Sequence, residues 1–461
     1  INLRQVLTER TSLRRRLSKR LTDLQRRCIL LLARDLDSYN DCMMKISVFT
    51  PTHKLKNVEG YIERLYATLH AQTYKNWEWV IVPNNGGTVD LPPDARIKIH
   101  PSEDTAKIGF LKRFAASKAT GDVLVEVDHD DELYPTALEE CAAAFEDPDI
   151  DFAYSNTVEV LEGYQPRVFD EKFGWVNRPV KYKDYNVMEM VAFDADPRSL
   201  SKIWYAPNHF RAWRTSFYNE IGGHDPEMTV LDDQDIMCRT YVHGKMKHID
   251  KPLYVYHIHK DNTCYGELNG QIQEETLLLH DKYIEPMTLR WASLNKLRKL
   301  DLCGGHNTPH GFESVDIQGG DITADLNGPW PFKDGSVGVI RASDALEHLR
   351  DPIHVMKEAY RVLAPNGWFL TNTPSTDGRG AFQDPTHVSF WNSNSFWYYT
   401  RHDQARFINT PVQFQLSRIK NYFPSPYHKT HNIVYVRADL IKCSGRTPGL
   451  VEFPSKGFTD G

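Results

Sequence analysis

Residues 121–131 read Gly-Asp-Val-Leu-Val-Glu-Val-Asp-His-Asp-Asp, an apolar strand-like run that ends in carboxylates and a histidine. Val123–Val127 has the composition of a buried strand, and Asp128, Asp130 and Asp131 follow it directly. Carboxylates this close repel one another, and a divalent cation among them relieves the repulsion. The same acids also suit a solvated turn that caps a helix, so this acid box alone leaves both interpretations open.

Strands and helices alternate on both sides of the acid box. Lys45–Phe49 and Trp77–Val82 are β-rich runs, and Ile108–Ala119 has the spacing of a helix. Such alternation predicts an α/β sheet that binds its ligand at the carboxyl ends of the strands.

A series of ordered blocks between residues 45 and 262 resembles the inverting family 2 glycosyltransferases of the GT-A fold. The blocks are Ile46–Thr52, Leu69–Tyr74, Trp77–Val82, Gly121-Asp122 with Asp128–Asp131, Ile221–Pro226, Leu231–Asp235 with Arg239, and Tyr256–His259. Each block is a weak signal, whereas their order is specific. The resemblance implies transfer of a sugar from a nucleotide-diphosphate sugar to a hydroxyl of a glycan or glycoconjugate.

The resemblance also implies a metal and a base. Asp130 would bind Mn²⁺ or Mg²⁺, supported by Asp131, and His259 would complete the metal shell. Asp233 matches the base that removes the acceptor proton, and its neighbour Asp232 is expected to raise the pKa of that base. Without the block Ile221–Pro226, a charge pair at a helix N-terminus would be the preferred interpretation of the two aspartates.

The donor is expected where the first strands end. Thr50, Pro51 and Thr52 end the first strand, Asn84 and Asn85 follow the second, and Asp128 is expected near the ribose. Family members usually carry Asp-Asp-Gly-Ser where this chain has Asn84-Asn85-Gly86-Gly87. An asparagine donates as well as accepts and is uncharged, so the base of the donor stays open.

A second alternation of strands and helices begins near Lys296. Leu300–Gly305 is a strand followed by a glycine-rich turn, which lets the backbone approach a ligand closely. Asp316 ends the next run, where a carboxylate can take the ribose hydroxyls of an adenosine. Strands are expected at Lys299–Leu302, Phe312–Ile317, Val337–Ala342 and Trp368–Asn372, and helices at 271–283 and Leu346–Leu363.

Together with Asp344–Leu349 and Arg361–Gly367, this order resembles the class I S-adenosylmethionine-dependent methyltransferases over residues 297–375. The resemblance implies a Rossmann-like domain that binds S-adenosylmethionine and O-methylates the glycan. The cofactor residues would be Gly304, Gly305, Asp316 and Asp325, with His348 and His387 as candidate contacts to the methyl acceptor. Buried structural histidines are the competing interpretation for the last two.

One position departs from that family. Cys303-Gly304-Gly305 stands where the family has Gly-Cys-Gly, and a cysteine at positive φ is strained. The alternative to an active methyltransferase is therefore a binding or docking module.

The N-terminal segment differs from the remainder in charge. Residues 1–43 carry +5, whereas the chain as a whole carries −6. Leucines 17, 21, 24 and 31, with Cys28, form one stripe, which predicts a basic amphipathic helix. It would pack on its own protein or a sister chain, lie on an anionic membrane surface, or touch nucleic acid. The expected domains are 1–43, the glycosyltransferase 44–285 and the methyltransferase-like 286–461.

Composition excludes several classes of protein. The negative net charge argues against a mainly electrostatic nucleic-acid binder, although a modified nucleic-acid base remains an alternative acceptor. No apolar run reaches the roughly 18 residues of a membrane span. The seven cysteines form no CxxC pair, which is typical of reduced thiols. We therefore expect a cytoplasmic enzyme, peripheral to a membrane if the N-terminal helix binds one.

Overall fold

The computed structural model describes residues 43–52, 60–103, 107–171, 174–201, 203, 206–260, 262 and 268–443. The basic helix predicted over residues 1–43 lies outside the described residues, apart from Met43. The described chain consists of two β-sheets with helices, joined by one long helix.

Within the described residues, β1 to β11 form the first sheet, in the order β3-β2-β1-β4-β10-β6-β11-β5, with β7 and β9 on β6 and β8 on β9. The strands are β1 (Ile46–Thr52), β2 (Trp77–Pro83), β3 (Ile97–Ile99), β4 (Val123–Glu126), β5 (Glu132–Leu133), β6 (Phe152–Leu161), β7 (Gln165–Pro166), β8 (Asn177–Tyr182), β9 (Tyr185–Met190), β10 (Arg211–Arg214) and β11 (Met246–His257). The helices of this part are α1 (Tyr61–His70), α2 (Ile108–Lys118), α3 (Ala137–Ala144), α4 (Pro197–Leu200), α5 (Thr215–Glu220) and α6 (Asp232–His243).

The centre of the first sheet is parallel. β1 lies between β2 and β4 and pairs with both in parallel register. All residues of these three strands are buried, as their largely apolar sequences predict for strands covered on both faces. Their carboxyl ends therefore share one edge of the sheet, and the α/β expectation is confirmed.

The second sheet has the order β14-β13-β12-β15-β16-β18-β17. It is parallel from β14 to β16, whereas β17 and β18 are antiparallel. Its strands are β12 (Arg298–Leu302), β13 (Glu313–Asp316), β14 (Ile322–Thr323), β15 (Val337–Ser343), β16 (Leu363–Pro374), β17 (Gln415–Tyr422) and β18 (Tyr435–Ile441). The later helices are α8 (Pro352–Val362), α9 (Gly380–Gln383), α10 (Trp397–Thr400), α11 (His402–Ala405) and α12 (Pro426–Thr430).

Helix α7 (Asn269–Leu294) connects the two parts and is longer than the helix expected at 271–283. The expected domain boundary at 285/286 falls inside it. Met287 of α7 belongs to one buried apolar cluster with Ile236 of α6 and Trp368 of β16. The two parts therefore share a hydrophobic core along this helix.

The expectation of one helix over Leu346–Leu363 is wrong in part. Leu346–His348 forms a single 3₁₀ turn, and α8 begins only at Pro352. The Asp351 carboxylate accepts hydrogen bonds from the Ile353 and His354 amides, at 2.9 and 3.1 Å. An aspartate cap followed by proline at the first helical position starts a new helix there.

Candidate active site

Sheet pairing brings a distant histidine to the acid box. β5 follows the box at once and pairs with β11 at Tyr254 and Val255. His259, two residues beyond β11, thereby places its Nε2 2.8 Å from Asp130 Oδ2. The Tyr61 ring of α1 stacks on the His259 ring, with centroids 5.4 Å apart. The predicted metal residues Asp130 and His259 are therefore in direct contact.

The Asp130 carboxylate is kept ionised. Burial raises its pKa, but the hydrogen bond with His259 and the nearby His129 outweigh this and lower the pKa below its usual value. An ionised oxygen beside an imidazole nitrogen is a donor pair that suits a divalent cation.

Both carboxylate oxygens of Asp131 accept hydrogen bonds from other groups of the protein. Its two oxygens accept from the Tyr254 hydroxyl and the His257 amide, each at 2.8 Å. Burial, and then Asp130 and Asp128, raise its pKa well above the usual value. Asp131 thus ties the end of β11 to the acid box, and its supporting part in the metal shell stays a prediction.

The predicted base, Asp233, lies in the first turn of α6. Its Oδ2 accepts from Arg211 Nη1 of β10 at 3.0 Å, and Arg211 is fully buried. Burial raises the pKa of Asp233, but Arg211 and then Lys112 lower it below its usual value. The pKa of Asp233 is therefore lowered where the pairing with Asp232 led us to expect a raised value, because two cations that the sequence does not place beside it outweigh that effect. Its part as the base stays a prediction.

Asp232 belongs to a buried group of charges. Lys112 Nζ of α2 lies 2.7 Å from Glu126 Oε1 and 3.2 Å from Asp232 Oδ2. His224 Nε2 lies 3.5 Å from Glu126 Oε2 and 3.7 Å from Asp232 Oδ2. Burial raises the pKa of Asp232, whereas the two carboxylates raise that of Lys112 against the opposing effect of burial. The pair of charges on Lys112 and Glu126 therefore persists in the interior.

Sequence reasoning missed Lys112, Glu126 and Arg211. A signal for one of them exists, because Glu126 interrupts an otherwise apolar run, and a charge in a buried strand needs a partner. Nothing comparable marks Lys112 and Arg211, which lie on other elements and meet Glu126 only in the folded chain.

Charged and polar side chains lie between the acid box and Asp233, the predicted base. His209 Nε2 lies 3.8 Å from both Asp128 Oδ2 and Glu126 Oε1. Arg211 Nη1 lies 4.0 Å from the same Glu126 oxygen and 3.0 Å from Asp233 Oδ2. Asp128 and Asp233 therefore lie at the two ends of one run of charged and polar contacts.

The predicted donor residues lie at the same edge of the sheet. Thr52 pairs with Pro83 at the ends of β1 and β2, and the Asn84 amide donates to the Thr52 carbonyl at 2.9 Å. Asn85 then turns the chain with a φ of 54°. The Thr50 hydroxyl accepts from Trp79 Nε1 at 2.9 Å and is buried, so Thr50 supports this edge from within.

The loop after β12 is tightly built. Cys303 has a φ of 55°, the strained conformation considered above. A Cβ at Gly304 would lie 2.1 Å from Asp301 Oδ2 and 2.2 Å from Thr308 Oγ1, so only glycine fits. Burial, and then Asp316 and Glu347, raise the pKa of Cys303 to about 12. Cys303 is therefore a neutral thiol.

Asp316 and Asp325 differ in their surroundings. A Cβ at Gly305 would lie 3.6 Å from Asp316 Oδ2, so this carboxylate faces the glycine loop. Asp325 is exposed, and its Oδ1 accepts from the backbone and side chain of Asn327, both at 2.9 Å. The contacts of Asp325 thus lie within its own turn.

The structure brings His348 and His387 together. Their rings stand edge to face with centroids 5.0 Å apart. Both are half-buried, and both adjoin the buried Glu347, which the sequence argument did not single out.

Comparison with known families separates the two parts of the chain. Residues 47–221 match the model of the family "Glycosyl transferase family 2". Residues 299–371 match the model "Methyltransferase domain". The chain carries a family 2 glycosyl transferase domain followed by a methyltransferase domain. Both resemblances expected from the sequence are thereby confirmed.

One curated relative matches part of the chain. It is a protein of Mycolicibacterium smegmatis described as a "Probable S-adenosylmethionine-dependent methyltransferase", 36% identical over 81 residues. The match covers 17% of this chain and 30% of the relative. The chain thus spans less than a third of the relative that it matches.

Solved structures similar to the chain include the S. aureus protein TarS. The structure titled TarS 1-349 in complex with UDP is 18% identical, covers 55% of this chain and 71% of its own, and has a TM-score of 0.36. The complex with UDP-GlcNAc is 19% identical, covers 54% of this chain and 73% of its own, and has the same TM-score of 0.36.

Among the residues that the structure describes, no helix has the length and apolar character that crossing a membrane requires.

Proposed function

We propose that the first domain transfers a sugar from a nucleotide-diphosphate sugar to a hydroxyl of a glycan or glycoconjugate, with inversion and with the help of Mg²⁺ or Mn²⁺. The main support is the run of contacts from Asp128 through His209, Glu126 and Arg211 to Asp233. It connects the acids expected to hold the donor with a carboxylate suited to deprotonate the acceptor. The match to the family 2 model supports the same reaction class.

Asp130 and His259 would hold the cation. Their donor atoms are 2.8 Å apart, and two ligands on one ion at about 2.1 Å can have that separation. A bound divalent ion supplies positive charge that stabilises the departing diphosphate. Asp131 would keep the acid box in place through Tyr254 and the backbone of His257.

Asp233 would act as the base. The acceptor hydroxyl loses its proton to the carboxylate as its oxygen bonds to the anomeric carbon, opposite the departing diphosphate. Arg211 orients the carboxylate and keeps it ionised, so the base is ready over a wide pH range. A carboxylate this acidic takes the proton only as the new bond forms, which suits a concerted displacement.

A nucleotide-sugar screen tests the first activity. Nucleotide-sugars are incubated with Mn²⁺ and the full chain, and release of the nucleotide diphosphate is followed by mass spectrometry. Asp233→Asn and Asp130→Ala are expected to lose roughly 10²–10⁴-fold in rate. The exposed Asp149→Asn is the matched control. Undiminished turnover in the Asp233 or Asp130 variant, with the fold intact by circular dichroism, would contradict the proposal.

We propose further that the second domain binds S-adenosylmethionine and O-methylates the glycan. The glycine loop Cys303–Gly305 would receive the cofactor, and the Asp316 carboxylate, which faces Gly305, would take its ribose hydroxyls. Two active sites on one chain raise the effective concentration of the first product at the second site. Asp325 would serve as an outer contact from its exposed turn.

The strained Cys303 favours a second candidate, a docking module that no longer methylates. Calorimetric titration with S-adenosylmethionine, followed by a methyl-transfer assay on the glycosylated product, separates the two. Cofactor binding with methyl transfer supports the enzyme. Absence of binding in the full chain, with the glycosyltransferase still active, supports the docking module.

A further inference from the structure

The second domain contains a cluster of side chains that could bind a metal. Glu347, His348 and His387 each place one ligand atom, a carboxylate oxygen or a ring nitrogen, within 4.8 Å of the other two. Glu347 and His348 follow β15, whereas His387 comes from the loop after α9. Folding therefore assembles this cluster from separate parts of the chain.

Glu347 has a buried oxygen that lacks a partner. The residue is only 2% exposed, and its Oε2 accepts from the Thr373 hydroxyl at 2.7 Å. Its Oε1 is buried without a hydrogen-bond partner. A buried carboxylate oxygen in this state is costly, and a cation beside it would remove the cost.

Backbone carbonyls orient the two rings. His387 Nδ1 lies 3.1 Å from the Ala381 carbonyl, and His348 Nδ1 lies 3.3 Å from the Thr386 carbonyl. A carbonyl only accepts, so each Nδ1 is placed to donate; the Thr386 hydroxyl also lies 3.2 Å from His348 Nδ1. With Nδ1 bonded to the protein, Nε2 of each ring is the nitrogen that could bind a metal. This is the arrangement found around metal-binding histidines.

The loop that carries His387 is fixed to Glu347. The amides of Val388 and Ser389 donate to the Glu347 carbonyl at 2.8 and 3.0 Å. The cluster is thus positioned by the backbone. A purely structural role for the histidines would not explain the unpaired oxygen of Glu347.

We propose that Glu347, His348 and His387 bind a divalent transition-metal ion. Two imidazoles and one carboxylate favour ions such as Zn²⁺, Co²⁺ or Fe²⁺ over Mg²⁺. Three protein ligands leave coordination positions for water or for an oxygen of a ligand. The site is separate from the Asp130–His259 pair of the first domain.

Titration of the full chain with Co²⁺ tests the proposal, with visible absorption reporting histidine ligation and metal analysis after dialysis giving the bound equivalents. His387→Ala and His348→Ala are each expected to bind one equivalent less than the unaltered protein. Asp130→Ala should keep the absorption of the second-domain site. His402→Ala removes an exposed histidine of α11 and should bind as the unaltered protein does.

Equal Co²⁺ binding in His387→Ala, His348→Ala and the unaltered protein would overturn the proposal. Less than one equivalent bound by Asp130→Ala would overturn it too, and this result does not depend on whether the histidine variants fold. Neither measurement depends on sugar or methyl transfer, so failure here leaves the proposed reactions untouched.

Discussion

Among the cations that lower the pKa of Asp233, the buried Arg211 has the largest effect. Arg211 lies in β10, between β4 and β6 of the first sheet, and from there its guanidinium reaches Asp233 in the first turn of α6. Burial raises the pKa of Asp232 although Lys112 Nζ lies 3.2 Å away, so the pKa values of the two neighbouring aspartates are shifted in opposite directions. Adjacent positions in sequence therefore differ in chemistry.

We expect Arg211→Met to move the acidic limb of the pH–rate profile upward. Without the guanidinium the pKa of Asp233 rises, so a higher pH is needed to ionise the base. Loss of one opposite charge at this distance predicts a displacement of about 1 to 3 pH units. The measurement is kcat/KM for sugar transfer as a function of pH.

Arg214→Met is the matched control, because Arg214 lies in the same strand and donates to backbone carbonyls of Phe145, Asp147 and Ile150. Its acidic limb should stay where it is. A fall in rate for Arg211→Met without displacement of the limb would show that Arg211 does not set the pKa of the base.

At the scale of elements, α8 shows where local pattern reasoning fails. Apolar spacing continues from Leu346 to Leu363, but the Asp351 carboxylate caps a new helix. Glu347 and His348 lie in the turn before it, close to His387.

Asp351→Ala is expected to destabilise the second domain by about 1 kcal/mol, whereas Asp351→Asn keeps the cap. Urea unfolding followed by circular dichroism measures the stability of both variants. Equal unfolding midpoints for Asp351→Ala and Asp351→Asn would contradict this role of Asp351.

Elements with strong local patterns were predictable. The apolar runs Trp77–Val82 and Val123–Val127 predicted strands that the structure contains as β2 and β4, and the acid box follows the end of β4. The contact of His259 with Asp130 followed from family resemblance. The cations around Asp232 and Asp233 could not be predicted, because Lys112 and Arg211 approach them through sheet order and helix packing rather than through spacing along the chain.

At the scale of the molecule, α7 couples the two domains. On one side the Tyr283 hydroxyl and Lys282 Nζ bind Asp235 of α6, at 2.5 and 3.1 Å. On the other side Asp281 faces cations of the second sheet, Lys420 Nζ at 2.6 Å, Arg418 Nε at 3.3 Å and Arg437 Nη1 at 3.4 Å. Since the apolar core also continues past this helix, we expect the domains to unfold together.

Asp281→Asn is therefore expected to lower the unfolding temperature at pH 7 and to separate the unfolding of the two domains. Burial raises the pKa of Asp281, but the adjacent His280 and the hydrogen bonds from Lys420 and Arg418 outweigh it and lower the pKa well below the ordinary 3.8. A carboxylate with a depressed pKa stabilises the fold above its unfolded pKa, and this contribution is lost as the pH falls through the folded value. The difference in unfolding temperature from the unaltered protein should thus be full at neutral pH and shrink below about pH 4.

Differential scanning calorimetry across this pH range measures that difference, with the exposed Glu274→Gln of the same helix as control. A difference that grows on acidification, or a single unchanged transition at pH 7, would show that Asp281 does not couple the domains.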